Sequence, residues 1–309
     1  MRVVVQHAVG DPGWRPTVLA PEAVRRFARI VEDAGYAALG FTDHPAPTSK
    51  WSRAGGEGSA DLFSSLAFCA AVTESIRLMS FVAVLGYRNP FAFAHQAATV
   101  DVLSAGRLDL GVGTGYLKGE MRALGLDPAK RLQRFDETLE VAMRIWSEEE
   151  LTEEGLDWSA RGVHGQPTPV QRPHPPLWVH GNSAFGRERA ARYGAGWIGL
   201  MTDDRLASTI RTPAMRDLDA AAAAIADLRT RIMRAGRHPG DVSIGLTGLW
   251  PILDVRRGWD RDVMLADARA AARIGVDTLF VTVIGDDPGA ACATVEAFGD
   301  VVAELKQLE

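Results

Sequence analysis

Short runs of apolar and β-branched residues alternate along this chain with longer segments whose apolar positions recur at helical spacing. That alternation is the mark of repeated βα units around a parallel sheet. The runs predict strands over 3–7, 37–42, 77–84, 108–112, 177–180, 197–201, 242–247 and 278–284. The segments between and after them predict helices near 21–34, 61–74, 91–104, 131–147, 184–193, 218–235, 260–274 and 288–306. Pro21 suits a first helical turn, and Gly35, Gly106, Gly194, Gly236 and Gly275 stand where a left-handed residue ends a helix. Eight units in strict alternation predict an α/β fold, a (β/α)8 TIM barrel read as one domain over 1–309.

Two stretches break the rhythm. Residues 148–176 open on the acidic run 148–150 and close on a segment holding Pro167, Pro169, Pro173, Pro175 and Pro176. This is too long for an ordinary connection, and reads as an insertion after the fourth βα unit with a short hairpin around Trp158. The other stretch, 45–60, is rich in Gly and Ser, carries Lys50, Trp51 and Arg53, and follows the second strand. Loops that follow barrel strands form the catalytic face.

Composition narrows the partners. A net charge of -5 without a basic cluster leaves no footprint for nucleic acid or an anionic membrane, so a small molecule is the expected partner. Cys69 and Cys292 both fall in apolar helical stretches, which supports neither a disulfide framework nor a cysteine metal site. With no apolar segment of spanning length and a strand-like start, the expected compartment is the cytoplasm.

In a barrel, chemistry sits at the strand ends. The second strand stops at Thr42-Asp43-His44-Pro45, where an imidazole beside a carboxylate suits acid–base work, though Asp and Pro equally favour a turn. The fourth runs into Gly111-Val112-Gly113-Thr114-Gly115-Tyr116, whose glycines let a flat ligand approach the backbone or simply make a tight turn. Tyr116 stands where a dinucleotide fingerprint needs glycine. After the fifth strand, Gly181-Asn182-Ser183 leads into a helix, which fits a phosphate or ordinary N-capping. His7 and His180, near ends of the first and fifth strands, are further candidates for the barrel mouth. No His or carboxylate pair has metal-ligand spacing, so no metal is expected.

Taken in order, these pieces resemble the luciferase-like flavin-dependent oxidoreductases, especially the actinobacterial branch that uses the deazaflavin coenzyme F(420). The resemblance covers most of the chain. It rests on Phe41-Thr42-Asp43-His44, Pro90 with its helix, Asp101 to Arg107, Gly111 to Tyr116 with Glu120, Arg134-Phe135-Asp136-Glu137, Trp146, Pro176 to Ser183, and Gly196-Trp197. It implies a cofactor ring lying near a bulge in the third strand, often with a non-prolyl cis peptide, which would fall within a residue of Phe81-Val82. It further implies that Gly113, Thr114, Gly115 and Tyr116 border the ring, that Gly181, Asn182 and Ser183 receive a phosphate, and that His44, tuned by Asp43, carries a proton.

The cofactor decides the chemistry. A deazaflavin passes hydride and makes the protein a dehydrogenase or reductase, whereas reduced FMN with oxygen makes it a monooxygenase. The residues leave both open, and the resemblance favours F(420). Two departures weigh against a sugar-phosphate dehydrogenase of the deazaflavin branch: Tyr116 stands where those enzymes carry a carboxylate, and Thr48 where they carry a tryptophan. The pocket is expected beneath a roof made by 45–60 and the 148–176 insertion, with Trp51, Trp158 and Tyr116 as walls. A homodimer and a separate reductase are implied by the same resemblance. A barrel that binds cofactor without turnover is the alternative from another class.

Overall fold

The computed structural model describes residues 1–9, 16–54, 56–147 and 150–308; Glu148 and Glu149 of the acidic run lie outside them. Eight parallel strands close into a barrel: β1 (Arg2–Val9), β2 (Ala38–Phe41), β3 (Arg77–Val84), β4 (Leu108–Gly113), β7 (Leu177–His180), β8 (Gly196–Leu200), β9 (Ser243–Thr247) and β10 (Thr278–Ile284), the last pairing with β1. β5 (Leu151–Glu154) and β6 (Ser159–Val163) form an antiparallel hairpin inside the insertion. The helical layer comprises α1 (Pro21–Asp33), α3 (Leu62–Val72), α4 (Pro90–Leu103), α6 (Arg131–Ser147), α7 (Ala184–Tyr193), α9 (Leu218–Arg234), α10 (Arg261–Arg273) and α11 (Pro288–Leu305). Three short helices, α2 (Ser49–Arg53), α5 (Lys118–Ala123) and α8 (Asp204–Ile210), lie in the loops after β2, β4 and β8.

Strand alternation divides the core in two. Val3, Val5, Leu39, Leu78 and Leu110 face the helices, while Val4, Ala38, Met79, Trp178, Ile198 and Phe280 form a separate cluster inside the barrel. Two large rings fit there because glycine faces them. A Cβ at Gly196 would stand 2.2 Å from Trp178 Cε3, and one at Gly245 would stand 2.5 Å from Phe280 Cε2. Gly196→Ala should therefore destabilise the fold by about 1–3 kcal/mol, the usual cost of overpacking. Equilibrium unfolding in urea checks this, and an unchanged midpoint would mean that Trp178 can give way.

The insertion's hairpin climbs the outside of α4 and α6 toward their first turns, where Trp158 meets Phe91 and Leu156 N donates to Glu137 Oε1 at 2.6 Å. Connectivity puts the Pro-rich segment that enters β7 at the N-terminal end of the barrel. There Asp101 accepts from the backbone N–H of Val170 at 2.7 Å and from Gln171 Nε2 at 2.7 Å. Gln171 Nε2 also donates to Leu108 O at 2.7 Å, and Leu110 N donates to Pro176 O at 2.8 Å. Arg107 donates to Ala70 O, Thr73 O, Ile76 O and Ser104 O, which ties α3, α4 and β3 together at the same end. The Asp101-to-Arg107 motif is thus part of the barrel's floor.

Candidate active site

At the opposite end, a cavity of about 840 Å3 opens over the strand termini. Its size suits a large organic ligand. His44, the third residue after β2, borders it while remaining 6 % exposed. Its Nδ1 lies 3.1 Å from Glu120 Oε2, and Glu120 also accepts from Tyr87 Oη at 2.7 Å and from the backbone N–H of Ala46 at 2.9 Å. Burial acts against ionisation of Glu120, but the hydrogen bonds from His44, Tyr87 and Ala46 outweigh it and hold the carboxyl below its ordinary range. An ionised Glu120 can only accept, so Nδ1 carries the hydrogen. In the neutral imidazole Nε2 is therefore the acceptor, and Tyr116 Oη donates to it at 3.3 Å. Burial also opposes a charge on His44, yet the Glu120 hydrogen bond and the charges of Glu57, Glu120 and Asp43 raise its pKa above the ordinary value.

Asp43 adds its charge to the groups that raise His44, but its hydrogen bonds go elsewhere. Its carboxylate accepts from Arg88 Nη1 at 2.6 Å, Arg88 Nη2 at 2.9 Å and the backbone N–H of Val84 at 3.0 Å. Three donors from the end of β3 and the segment just after it hold the carboxylate, so Asp43 braces β2 against β3. The group that orients His44 is Glu120, on α5 and 76 residues away in sequence. Its only sequence signal was its place after the Gly111–Tyr116 loop.

The Phe81–Val82 peptide is cis, in the stretch where the resemblance implied such a bond. β3 shifts register against β4 between Ser80 and Ala83, and both Phe81 and Val82 border the cavity. The Gly-rich strand end answers this bulge. A Cβ at Gly111 would meet Ser80 O at 2.1 Å, one at Gly113 would meet Val82 Cγ2 at 2.8 Å, and Gly115 has φ +69° with Val84 Cγ1 at 2.7 Å. The glycines are thus required by the neighbouring strand. Gly113, Thr114, Gly115 and Tyr116 border the cavity as well.

Gly181 and Ser183 also reach the cavity, where Ser183 caps α7 by accepting from Gly186 N at 3.2 Å. Asn182 turns away from it. Its amide donates to Leu200 O at 2.8 Å and Pro213 O at 2.9 Å and accepts from Leu200 N at 2.8 Å, so its side chain fastens β7 to the loop after β8. Arg131, at the start of α6, lines the same cavity and forms no ion pair among the described residues. His180 lines the cavity too, with burial pushing its pKa down to about 4. His7 does not; it stacks on Phe41 at 4.8 Å among the helix-facing residues, and burial lowers its pKa to about 4.

The roof differs from expectation. Trp51 and Tyr116 are walls, 5.5 Å apart between ring centroids, and His44 N donates to Ser59 Oγ at 2.7 Å to hold the 45–60 loop down. Among the described residues nothing from the 148–176 insertion borders the cavity, because its hairpin lies on the outer side of α4 and α6, where Asp157 pairs with Arg134 and Leu156 N donates to Glu137 Oε1 at 2.6 Å. Trp158 packs edge-on against Phe91 on α4 at 5.0 Å instead. Residues of α8 cover the far side, among them Arg205, Leu206 and Thr209, together with Arg211 just beyond it. A short helix of seven residues has too little apolar periodicity to be seen in the sequence. Among the described residues no group of His, Cys, Asp and Glu could hold a metal, and no helix is long and apolar enough to cross a membrane.

The family model for luciferase-like monooxygenases matches residues 1–257, and the chain belongs to that family of enzymes. The chain is 32% identical to the 4-hydroxyprotoasukamycin monooxygenase of Streptomyces nodosus subsp. asukaensis, over 66% of this chain and 53% of the relative. It is likewise 32% identical to the F420-dependent glucose-6-phosphate dehydrogenase of Beutenbergia cavernae, over 58% of this chain and 52% of the relative. The chain thus spans about half the length of these curated relatives. The fold matches that of the monooxygenase RslO1 from Streptomyces bottropensis with a TM-score of 0.77, at 22% identity and covering 98% of this chain and 99% of the other.

Proposed function

We propose that the protein is an oxidoreductase that transfers a hydride between coenzyme F(420) and a small organic substrate, with His44 as the proton carrier. One observation carries this reading: Glu120 holds Nδ1 of His44 while Nε2 faces the cavity beside Tyr116 Oη. When bound, the deazaflavin supplies a carbon centre that accepts or gives hydride without readily activating oxygen. The cavity fits such a group. Phe81 and Val82 offer a wall for a ring, Gly113 to Tyr116 border it, and Gly181, Ser183 and the first turn of α7 present N–H groups to a phosphate. Arg131, Arg205 and Arg211 line the same cavity and suit the acidic remainder of the cofactor.

The chain's own contribution is to place one proton. A neutral His44 accepts at Nε2 when the substrate is oxidised, and an imidazolium returns the proton when it is reduced. Titration of the purified protein should show tighter binding of F(420) than of FMN; equal or reversed affinities would remove the deazaflavin reading. The second reading, reduced FMN with oxygen, is supported by the likeness to the FMNH(2)-dependent dimethylsulfone monooxygenase of Pseudomonas putida, 31% identical over 40% of this chain. Oxygen uptake dependent on reduced FMN would establish it, and would call for the separate reductase. The homodimer is part of the same proposal, with sedimentation as its check.

A further inference from the structure

Beside His44 the cavity holds a second carboxylate with little to balance it. Glu57, from the loop after β2, points Oε1 toward His44 Nε2 at 3.8 Å and receives one long hydrogen bond from Thr42 Oγ1 at 3.5 Å. Among the described residues its Oε2 receives no hydrogen bond, and no Lys or Arg pairs with either Glu57 or Glu120. Arg88 is committed to Asp43, and Arg211 reaches only the carbonyl of Tyr116, at 3.4 Å. The Glu57 side chain is 26% exposed, into the cavity that it lines, and Trp51 Nε1 donates to the Glu57 carbonyl at 2.9 Å to fix the backbone there. Trp51 and Tyr116 flank the same space.

We propose that Glu57 is a substrate-selecting residue, which binds a hydroxyl or ammonium donor on a compact, partly apolar substrate and turns anionic substrates away. The argument is one of charge and shape. The lining carboxylate beside His44 Nε2 is Glu57, with buried Glu120 behind the imidazole and Arg211 held at the Tyr116 carbonyl. A phosphate or carboxylate placed against His44 Nε2 therefore meets Glu57 first and is repelled there. A donor group instead fills the open oxygen of Glu57, while Trp51 and Tyr116 pack against the carbon skeleton. Burial raises the pKa of the Glu57 carboxyl, as it does for an acid that lacks a cation, and a donor-bearing ligand relieves that cost. The arginines lining the cavity belong to the cofactor side in the functional reading above, on which this inference rests for the location of the substrate.

The test needs neither cofactor nor turnover. Cyclohexylammonium, cyclohexanol and cyclohexanecarboxylate share one carbon ring and differ in charge and donor. Ligand-observed NMR titration of the cofactor-free protein at neutral pH should rank them in that order. Cyclohexylammonium is expected to bind at least about tenfold more tightly than the carboxylate, the ratio given by one charge-assisted hydrogen bond. Glu57→Gln keeps the side chain's shape and should bring the three affinities together, whereas Tyr116→Phe should preserve their order. Tight binding of the carboxylate, a ranking unchanged in Glu57→Gln, or no saturable binding by any probe would each overturn the proposal. Failure to bind F(420) alongside the expected ranking would overturn the hydride-transfer reading alone.

Discussion

Replacing His44 with alanine is expected to slow turnover by about 10²–10⁴-fold, the range for loss of a positioned acid–base group, while cofactor binding is retained. The imidazole reaches the cavity through Nε2 only, and none of the proposed phosphate contacts depends on it. Paired measurements of turnover and cofactor titration check this, and an unaffected rate would exclude His44 as the proton carrier. Glu120→Gln provides the finer reading. The wild-type limb that reports His44 should lie above the ordinary value of 6.5, because the carboxylates outweigh burial. Loss of the Glu120 charge should move that limb to lower pH, whereas an effect confined to folding would lower activity without moving it.

The sign of the accompanying stability change follows from linkage. His44 is raised in the folded state, so its contribution is complete below 6.5 and is lost as pH rises through the folded value. Glu120 is depressed, so its contribution is present above 4.5 and is lost as pH falls through the folded value. The pair therefore helps most between these values. The stability gap between wild type and Glu120→Gln should narrow toward both acid and alkali.

The sequence carried the barrel because each βα unit repeats one period change. β3, β7 and β10, with α6 and α7, fall at the spacing-based boundaries, and β7, β10 and α7 are each followed by a glycine. The short loop helices α2, α5 and α8 were not legible, having five to seven residues and no full apolar stripe. The larger errors concern pairing across distance. Adjacency suggested Asp43 as the partner of His44, but successive residues at a strand end point in different directions. Asp43 thus turned to Arg88, and the role fell to Glu120. Length and proline content made the insertion look like a lid, although its hairpin packs on the outside of α4 and α6 and contributes no described residue to the cavity lining. Glu57 gave no signal at all, because a carboxylate in a Gly-rich loop looks solvated until the fold encloses it.

Removing the guanidinium of Arg88 should cost about 3–5 kcal/mol of stability, the usual penalty for breaking a buried ion pair. Asp43 is 3 % exposed and would keep only the Val84 N–H, leaving its charge almost uncompensated in a low-dielectric site. Arg88 also sits over the Phe63 ring at 5.2 Å, so Arg88→Ala loses packing as well. Equilibrium unfolding of Arg88→Ala, Asp43→Asn and the double variant separates the terms. The double variant should be more stable than the sum of the single losses implies, because neither charge is then stranded. Additive losses would show that the two side chains act independently. The same variants divide bracing from chemistry. Because the charge of Asp43 contributes least among the carboxylates that raise His44, Asp43→Asn measured well below its unfolding transition should move the His44 limb to lower pH by less than Glu120→Gln does. A shift as large as that of Glu120→Gln would show that Asp43 does more to His44 than brace the strands beside it.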